Sequence, residues 1–289
     1  NHADHTYGAT VFAEGSSPDI YAHSTTEIYL SRVIGILRPI ISSRSNRMFG
    51  NALPKEQVEN NGIGPFLEIG RDGRKPGLLY PTKTFTDQIE FEAAGHKIQL
   101  FHAPGETNDQ LFVWLPEKKA LFPGDNFYKT FPNLYTIRGT PYRDLVGWVN
   151  SIDMMRYLEP EYLVPSHTRP IVGKEKINTL LTTYRDAIQF VHDQTVRLMN
   201  LGLDPNEIAE QLVLPKHVFS GYLGWFDGNP STLKPLPLKD EAEKMIQLSG
   251  DWDSLFKVAE DAFLTDDFQW SLQLTDYLLR SRPDDQKTK

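Results

Sequence analysis

Short apolar runs of strand character in the first 170 residues stop, one after another, on clusters of polar side chains. The run "KIQLFHAP" (97–104) leads into a loop carrying Glu106 to Asp109. Two runs in "QLFVWLPEKKALFPGD" are joined through Pro116-Glu117-Lys118-Lys119, which predicts a hairpin, and they close on Asp125 and Asn126. "EYLVPSH" closes on Ser166 and His167. This pattern restricts the region to a sheet-based fold whose polar groups collect on loops at strand ends, where such folds place their chemistry.

From about Lys174 the period changes. Leu181, Tyr184, Ile188, Val191, Thr195 and Leu198 recur at three- and four-residue steps, and Gly202 supplies a stop. Asp204 is placed to cap a further helix, with Pro205 in its first turn and Glu207 three residues after the cap. Leu255–Leu264 and Phe268–Leu279 read as two helices joined at Thr265-Asp266-Asp267, resembling one hairpin of a helical repeat. The expected division is therefore a domain over residues 1–174 and a helical domain over residues 175–289.

Composition excludes several classes. A formal charge of -8 argues against a phosphate-backbone partner, since counterion release needs clustered Lys and Arg. No run approaches the roughly 18 apolar residues of a membrane span. With no cysteine, any metal must be held by His, Asp and Glu.

Such ligands crowd the start of the chain, "NHADHTYGAT", where His2, Asp4 and His5 fall within four residues. A dinuclear centre needs a crowd of this kind, because two neighbouring dications repel and require carboxylates between them. The pattern alone is a weak signal, and solvated terminal histidines would equally explain it. The order of later residues adds weight: Glu106 follows a Pro-Gly turn in "HAPGETND", Asp125 ends "FPGD", and His167 ends "VPSH". This order resembles the metallo-β-lactamase superfamily, with its His-x-His-x-Asp-His motif, third ligand after Pro-Gly, bridging carboxylate and final His. His2, Asp4 and His5 match the last three ligands of that motif, and its first His would lie one residue before Asn1. Glu106 stands where the superfamily usually has His, which is similar to its alkylsulfatases. "MFGNALP" (48–54), "NLYTIRGTPYRD" (133–144) and "GYLGWFDGNP" (221–230) agree with that branch.

The resemblance implies the C-terminal part of a metallo-β-lactamase-like αββα sandwich, of the α/β class, followed by an all-helical dimerisation domain. It implies hydrolysis of alkyl sulfate esters to sulfate and an alcohol in a homodimer, periplasmic or secreted. Two zinc ions are implied, with manganese or iron also suited to these ligands. One would take the missing His, His2 and Glu106; the other Asp4, His5 and His167, with Asp125 between them. Asp4 and Asp125 are thereby the candidate catalytic acids. Arg138 is the expected clamp for the sulfate, because a planar guanidinium matches an oxyanion and stays charged. Asn51 would donate an amide hydrogen bond to the same group, and Arg143 would be a second cation. A surface salt bridge is the plainer reading of Arg138. Asp125 stands where the best-known alkylsulfatases have Glu, and Phe49 where Tyr is common, so lactone, β-lactam or phosphoester hydrolysis, or a non-enzymatic assembly module, stay open. His102 reads as a satisfied strand-end histidine with a role behind the site as the alternative. His23, His96, His192 and His217 read as structural or exposed. Half a sandwich would leave one sheet face bare, so a longer native polypeptide is expected.

Overall fold

The computed structural model describes residues 2–50, 53–57, 77–135, 141–215 and 236–286, apart from the side chains of Ala3, Asp4, Met48 and Lys55. The chain falls into two compact units, one built on residues 1–194 with the described part of 214–229, the other on 195–213 with the described part of 230–289.

The first unit opens with short helices α1 (Ala3–Thr6) and α2 (Ala9–Phe12), then strand β1 (Tyr21–His23) and helices α3 (Thr26–Leu30) and α4 (Arg38–Met48). After them come β2 (Lys83–Phe85), β3 (Gln88–Ala93), β4 (His96–His102), β5 (Leu111–Leu115) and β6 (Ala120–Phe122). Helix α5 (Leu145–Tyr157), strands β7 (Tyr162–Leu163) and β8 (Ile171–Val172), and helix α6 (Lys174–Met199) follow. Strands β3 to β8 form one sheet in sequence order, and β1 pairs in parallel with β2. The sheet is antiparallel except between β6 and β7. As expected for part of an αββα sandwich, the described residues show one helix-covered sheet and a separate two-stranded pair.

The predicted hairpin is β5–β6, with Trp114 opposite Leu121. Its connection is a single tight turn over Pro116–Lys118, closed by Lys119 in the left-handed region. Alternation along β5 sends Phe112 and Trp114 inward, where they meet Leu121 and Leu163. Helix α5 covers that face with Trp148, Val149, Ile152 and Met155, one stripe at helical spacing, and Asp144 caps its start at Val146 N. Helix α6 adds Ile177, Leu181, Tyr184 and Ile188 to the same core. Helix α6 begins beside the expected boundary near residue 175, but its N-terminal stretch is part of this core and the first compact unit runs on to Gln194.

The second unit is helical where described. Helix α7 (Pro205–Gln211) begins on a full capping box: Asp204 accepts from Asn206 N and Glu207 N while Glu207 accepts from Asp204 N. Helices α8 (Leu238–Ser249), α9 (Trp252–Leu264) and α10 (Phe268–Ser281) follow, the last two joined through Thr265–Asp267 as expected. Trp252, Leu255 and Ala259 of α9 close on Leu274 and Leu278 of α10, and the Arg282 guanidinium lies 4.8 Å from the centre of the Trp252 ring. No described helix is long and apolar enough to cross a membrane.

Candidate metal centre

Three stretches far apart in sequence meet at Asp125. At the N-terminus, His2 and His5 lie on one side of the α1 turn, held by Thr6 Oγ1 and His5 N, which both donate to the His2 carbonyl at 3.0 and 3.2 Å. Residues three apart in a helical turn are neighbours, so both imidazoles aim the same way. His5 Nε2 lies 2.8 Å from Asp125 Oδ2, and His2 Nδ1 lies 3.8 Å from the same oxygen. From the loop after β7, His167 Nε2 comes within 3.4 Å of Asp125 Oδ1. The ring centres of His5 and His167 are 5.3 Å apart, edge to face.

Asp125 sits on the turn Gly124–Asn126 that ends β6. Gly124 has φ +60, and a Cβ there would run into the Gln110 side-chain amide, so the turn is specified by glycine twice over. Glu106 reaches the site from the loop after β4. Gly105 before it packs without room to spare: a Cβ would lie 2.8 Å from Trp148 Cδ1 and inside the Asn126 amide. That amide ties the loop down, with Nδ2 donating to the Ala103 carbonyl at 2.7 Å and Oδ1 accepting from Glu106 N at 3.3 Å. Trp148 Nε1 donates to the Asn126 carbonyl at 3.0 Å, and Ser151 Oγ donates to the Pro104 carbonyl at 2.7 Å.

Two donor groups result, His5–Asp125–His167 and His2–Glu106–Asp125, each with its ligand atoms within 4.8 Å of one another. Asp125 belongs to both. The carboxylates are buried, Glu106 at 5% and Asp125 at 4% exposure, while the imidazoles stand partly open around them. Burial pushes the Glu106 carboxyl up to about 8 against the pull of Arg143, with the Asp125 charge adding to the push. Burial also works to raise Asp125, but hydrogen bonds from His167 and His5 outweigh it and hold that carboxyl well below the ordinary range. Between two facing acids, the proton therefore rests on Glu106.

This arrangement fits a divalent metal. Asp125 Oδ1 is buried and its nearest imidazole, His167 Nε2, stands at a long 3.4 Å, which leaves a lone pair open to a cation. Imidazole and carboxylate are the ligand types the chain must use, because it has no thiol.

Arg143 stands elsewhere than expected. Instead of facing an open cleft, its side chain is 1% exposed; Nη1 lies 3.0 Å from Glu106 Oε1 and also donates to the Asn133 carbonyl. Asn133 N in turn donates to Tyr128 Oη at 2.8 Å. The guanidinium is a neighbour of the Glu106 carboxylate, which alone would favour this place for a buried cation. The Asp4 side chain, Asn51 and Arg138, together with the "GYLGWFDGNP" stretch, lie outside the described residues. Asn126, Trp148 and Ser151 are the supporting residues that sequence reasoning did not assign. Asn126 carried one signal, its place beside Asp125 in the polar cluster.

Residues 1–167 match the family model of the metallo-beta-lactamase superfamily, and residues 204–289 match that of alkyl sulfatase dimerisation. The chain belongs to the metallo-beta-lactamase superfamily. It is 35% identical to a linear primary-alkylsulfatase of a Pseudomonas species, over 98% of this chain and 58% of the relative. It is 30% identical to an alkyl/aryl-sulfatase of Saccharomyces cerevisiae, over 100% of this chain and 49% of that protein. The solved structure of the stereoselective inverting sec-alkylsulfatase Pisa1 from Pseudomonas sp. shares the fold, with a TM-score of 0.63 and 24% identity over 97% of this chain and 48% of that one. The chain thus spans about half the length of the relatives it matches. Superfamily membership implies divalent-metal binding, and the two donor groups sharing Asp125 are the candidate ligands.

Proposed function

We propose that this protein is a metal-dependent hydrolase of alkyl sulfate esters, converting ester and water into an alcohol and hydrogen sulfate. The observation that carries this reading is one buried carboxylate, Asp125, shared between an imidazole pair on one side and His2 with Glu106 on the other. The relatives named alkylsulfatases, matched over nearly all of this chain, supply the substrate class. The centre would take two zinc ions, with His2 and Glu106 as ligands of one, Asp4, His5 and His167 of the other, and Asp125 available to both. Bound there, the metal supplies Lewis acidity and lowers the pKa of water from about 15.7 toward ~7.

The chain's own residues do the rest. Asp125 stays ionised because its imidazole partners stabilise the charge, and it keeps His5 and His167 aimed inward. Asp4 would be a further ligand beside His5. Arg138 and Asn51 take the terminal oxygens of the monoanionic sulfate, concentrating positive charge in an otherwise acidic protein. Arg143, behind Glu106, fixes that carboxylate while contributing positive potential to the cleft.

Residues 1–174 form the catalytic domain in this reading, and residues 175–289 the helical domain that makes a homodimer. The protein works in the periplasm or outside the cell. Zinc-loaded full chain should release sulfate from a medium-chain alkyl sulfate and leave lactones and phosphate monoesters largely untouched. Arg138→Ala should abolish sulfate release while zinc content stays near two per chain. Zinc-loaded protein that hydrolyses the lactones but not the sulfate ester would refute the substrate assignment, and a full chain taking up no metal would refute the whole reading. Light scattering and cell fractionation check the dimer and the location.

A further inference from the structure

The loop that carries Glu106 is pinned from two directions. Asn126 and Ser151 hold its start, as described above. Its far end is held by groups that no site description includes. His102, the last residue of β4, has Nε2 2.8 Å from the Asn108 carbonyl. A carbonyl only accepts, so that nitrogen carries the proton and donates. His23, at the end of β1, lies flat on the His102 ring with 3.8 Å between centres and 13° between planes. The Nδ1 of His23 is 2.8 Å from Thr25 Oγ1 and accepts from Thr25 N at 3.4 Å, while the Thr86 carbonyl takes its other ring hydrogen. Both tautomers are thereby set. Beside them the buried Asp109 carboxylate accepts from the Thr26 hydroxyl, and Asn108 Nδ2 donates to Tyr29 Oη at 3.3 Å.

We propose that the stacked pair His23–His102 is a positioning device for Glu106, fixing the loop 104–109 by the hydrogen bond to Asn108 so that the carboxylate meets His2 and Asp125. The geometry favours this over plain packing. A position that required only apolar bulk would not need two imidazoles with three of their four ring nitrogens matched to partners, and such matched groups orient what they touch. The loop has no regular structure of its own, and Asn108 is two residues from Glu106, so its carbonyl is a direct handle on the ligand. Burial and the adjacent His102 ring push the His23 imidazole down, which favours its neutral form. The inference rests on Glu106 being a metal ligand.

The test uses the full chain and zinc alone, with affinity read by competition against a chromophoric chelator. His102→Ala removes the donor; His102→Gln returns an amide N–H near the place of Nε2. Groups supporting metal ligands from behind are typically worth about 10–100-fold in affinity. We expect His102→Ala to weaken the lower-affinity zinc by ~10-fold or more and His102→Gln to recover it to within ~3-fold of wild type. Unchanged affinity in His102→Ala would overturn the proposal. So would a glutamine variant as weak as alanine, since a bulk-filling role is indifferent to the donor. Should His102→Ala not fold, His23→Phe keeps a flat ring on His102 but drops the Thr25 and Thr86 anchors. A loss of ~3-fold or more in that variant supports the device, and none refutes it. Wild type that takes up no zinc would instead overturn the metal reading, and this inference with it.

Discussion

Asn126 is the residue on which the centre's geometry can be tested without touching a ligand. It is fully buried, and its amide joins the Ala103 carbonyl to the Glu106 amide, one on each side of Gly105. Replacing it by alanine leaves a donor and an acceptor without partners in a space closed by Trp148. Each orphaned buried group costs about 1–3 kcal/mol, so the pair gives ~4 kcal/mol. For a unit of this size about 2–4 °C is lost per kcal/mol, hence ~8–16 °C in the midpoint of thermal unfolding. Asn126→Asp is the sharper companion. A protonated carboxyl reproduces both bonds, whereas a carboxylate accepts from Glu106 N but faces the Ala103 carbonyl oxygen and adds a third charge beside Glu106 and Asp125. Burial and those neighbours raise its pKa in the folded protein above the unfolded value, so its stabilising contribution is present at low pH and lost as pH rises. Relative to wild type at the same pH, the aspartate variant should lie near wild type below about pH 4 and approach the alanine variant by about pH 9. Denaturant unfolding of the metal-free chain measures both. An alanine cost under ~1 kcal/mol, or an aspartate variant gaining stability with pH, would refute the cradle.

Zinc uptake should strengthen as pH rises toward about 8, because the raised Glu106 carboxyl is largely protonated at neutral pH and must lose its proton to coordinate. Titration calorimetry in two buffers of different ionisation enthalpy should detect that released proton, and a heat indifferent to buffer would count against it. Arg143→Leu leaves the protonated Glu106 and the Asn133 carbonyl without their guanidinium donor and should cost the metal-free protein about 2–4 kcal/mol at neutral pH, measured in denaturant. Stability within ~1 kcal/mol of wild type would return Arg143 to a role outside this pair. Leu274→Ala, in the α9–α10 core, should cost about 2–5 kcal/mol and leave zinc affinity unchanged. A parallel loss of metal would contradict the independence of the two donor groups from that core.

What the sequence made legible was whatever is written in neighbours. The β5–β6 turn lies in four consecutive residues, and the α7 capping box in another four. The candidate ligands were visible locally: Glu106, Asp125 and His167 each follow an apolar run, and His2 and His5 crowd within four residues at the start of the chain. The supports were not visible, because their partners are remote. Asn126 binds residues 20 and 23 positions away, Ser151 reaches back 47 positions to Pro104, and the ring of His23 meets a histidine from another strand. No local spacing encodes such pairs; only the packing of β1, β4 and α5 does. Arg143 failed for a related reason. A lone cation beside a suspected anion site reads as a ligand for the anion, and nothing nearby says that a carboxylate 37 residues earlier lies behind it.

The electrostatics of the metal-free centre follow from that hidden pairing. Two carboxylates, Glu106 and Asp125, are brought into contact in a buried place, which like charges oppose. The protein settles the conflict unequally: Asp125 gains two imidazole donors and stays charged, while Glu106 receives Arg143 on one side and keeps a proton on the other. Removing the proton leaves Glu106 charged but still paired with Arg143, so the vacated position faces Asp125 and His2. A dication is the natural replacement, because it attracts both carboxylates at once where a proton can serve only one. Asp125 Oδ1, buried and only loosely approached by His167 at 3.4 Å, is already oriented for it. The centre is therefore built to exchange a proton for a metal with little rearrangement, and the rigidity of the Glu106 loop decides how tightly the metal is then held.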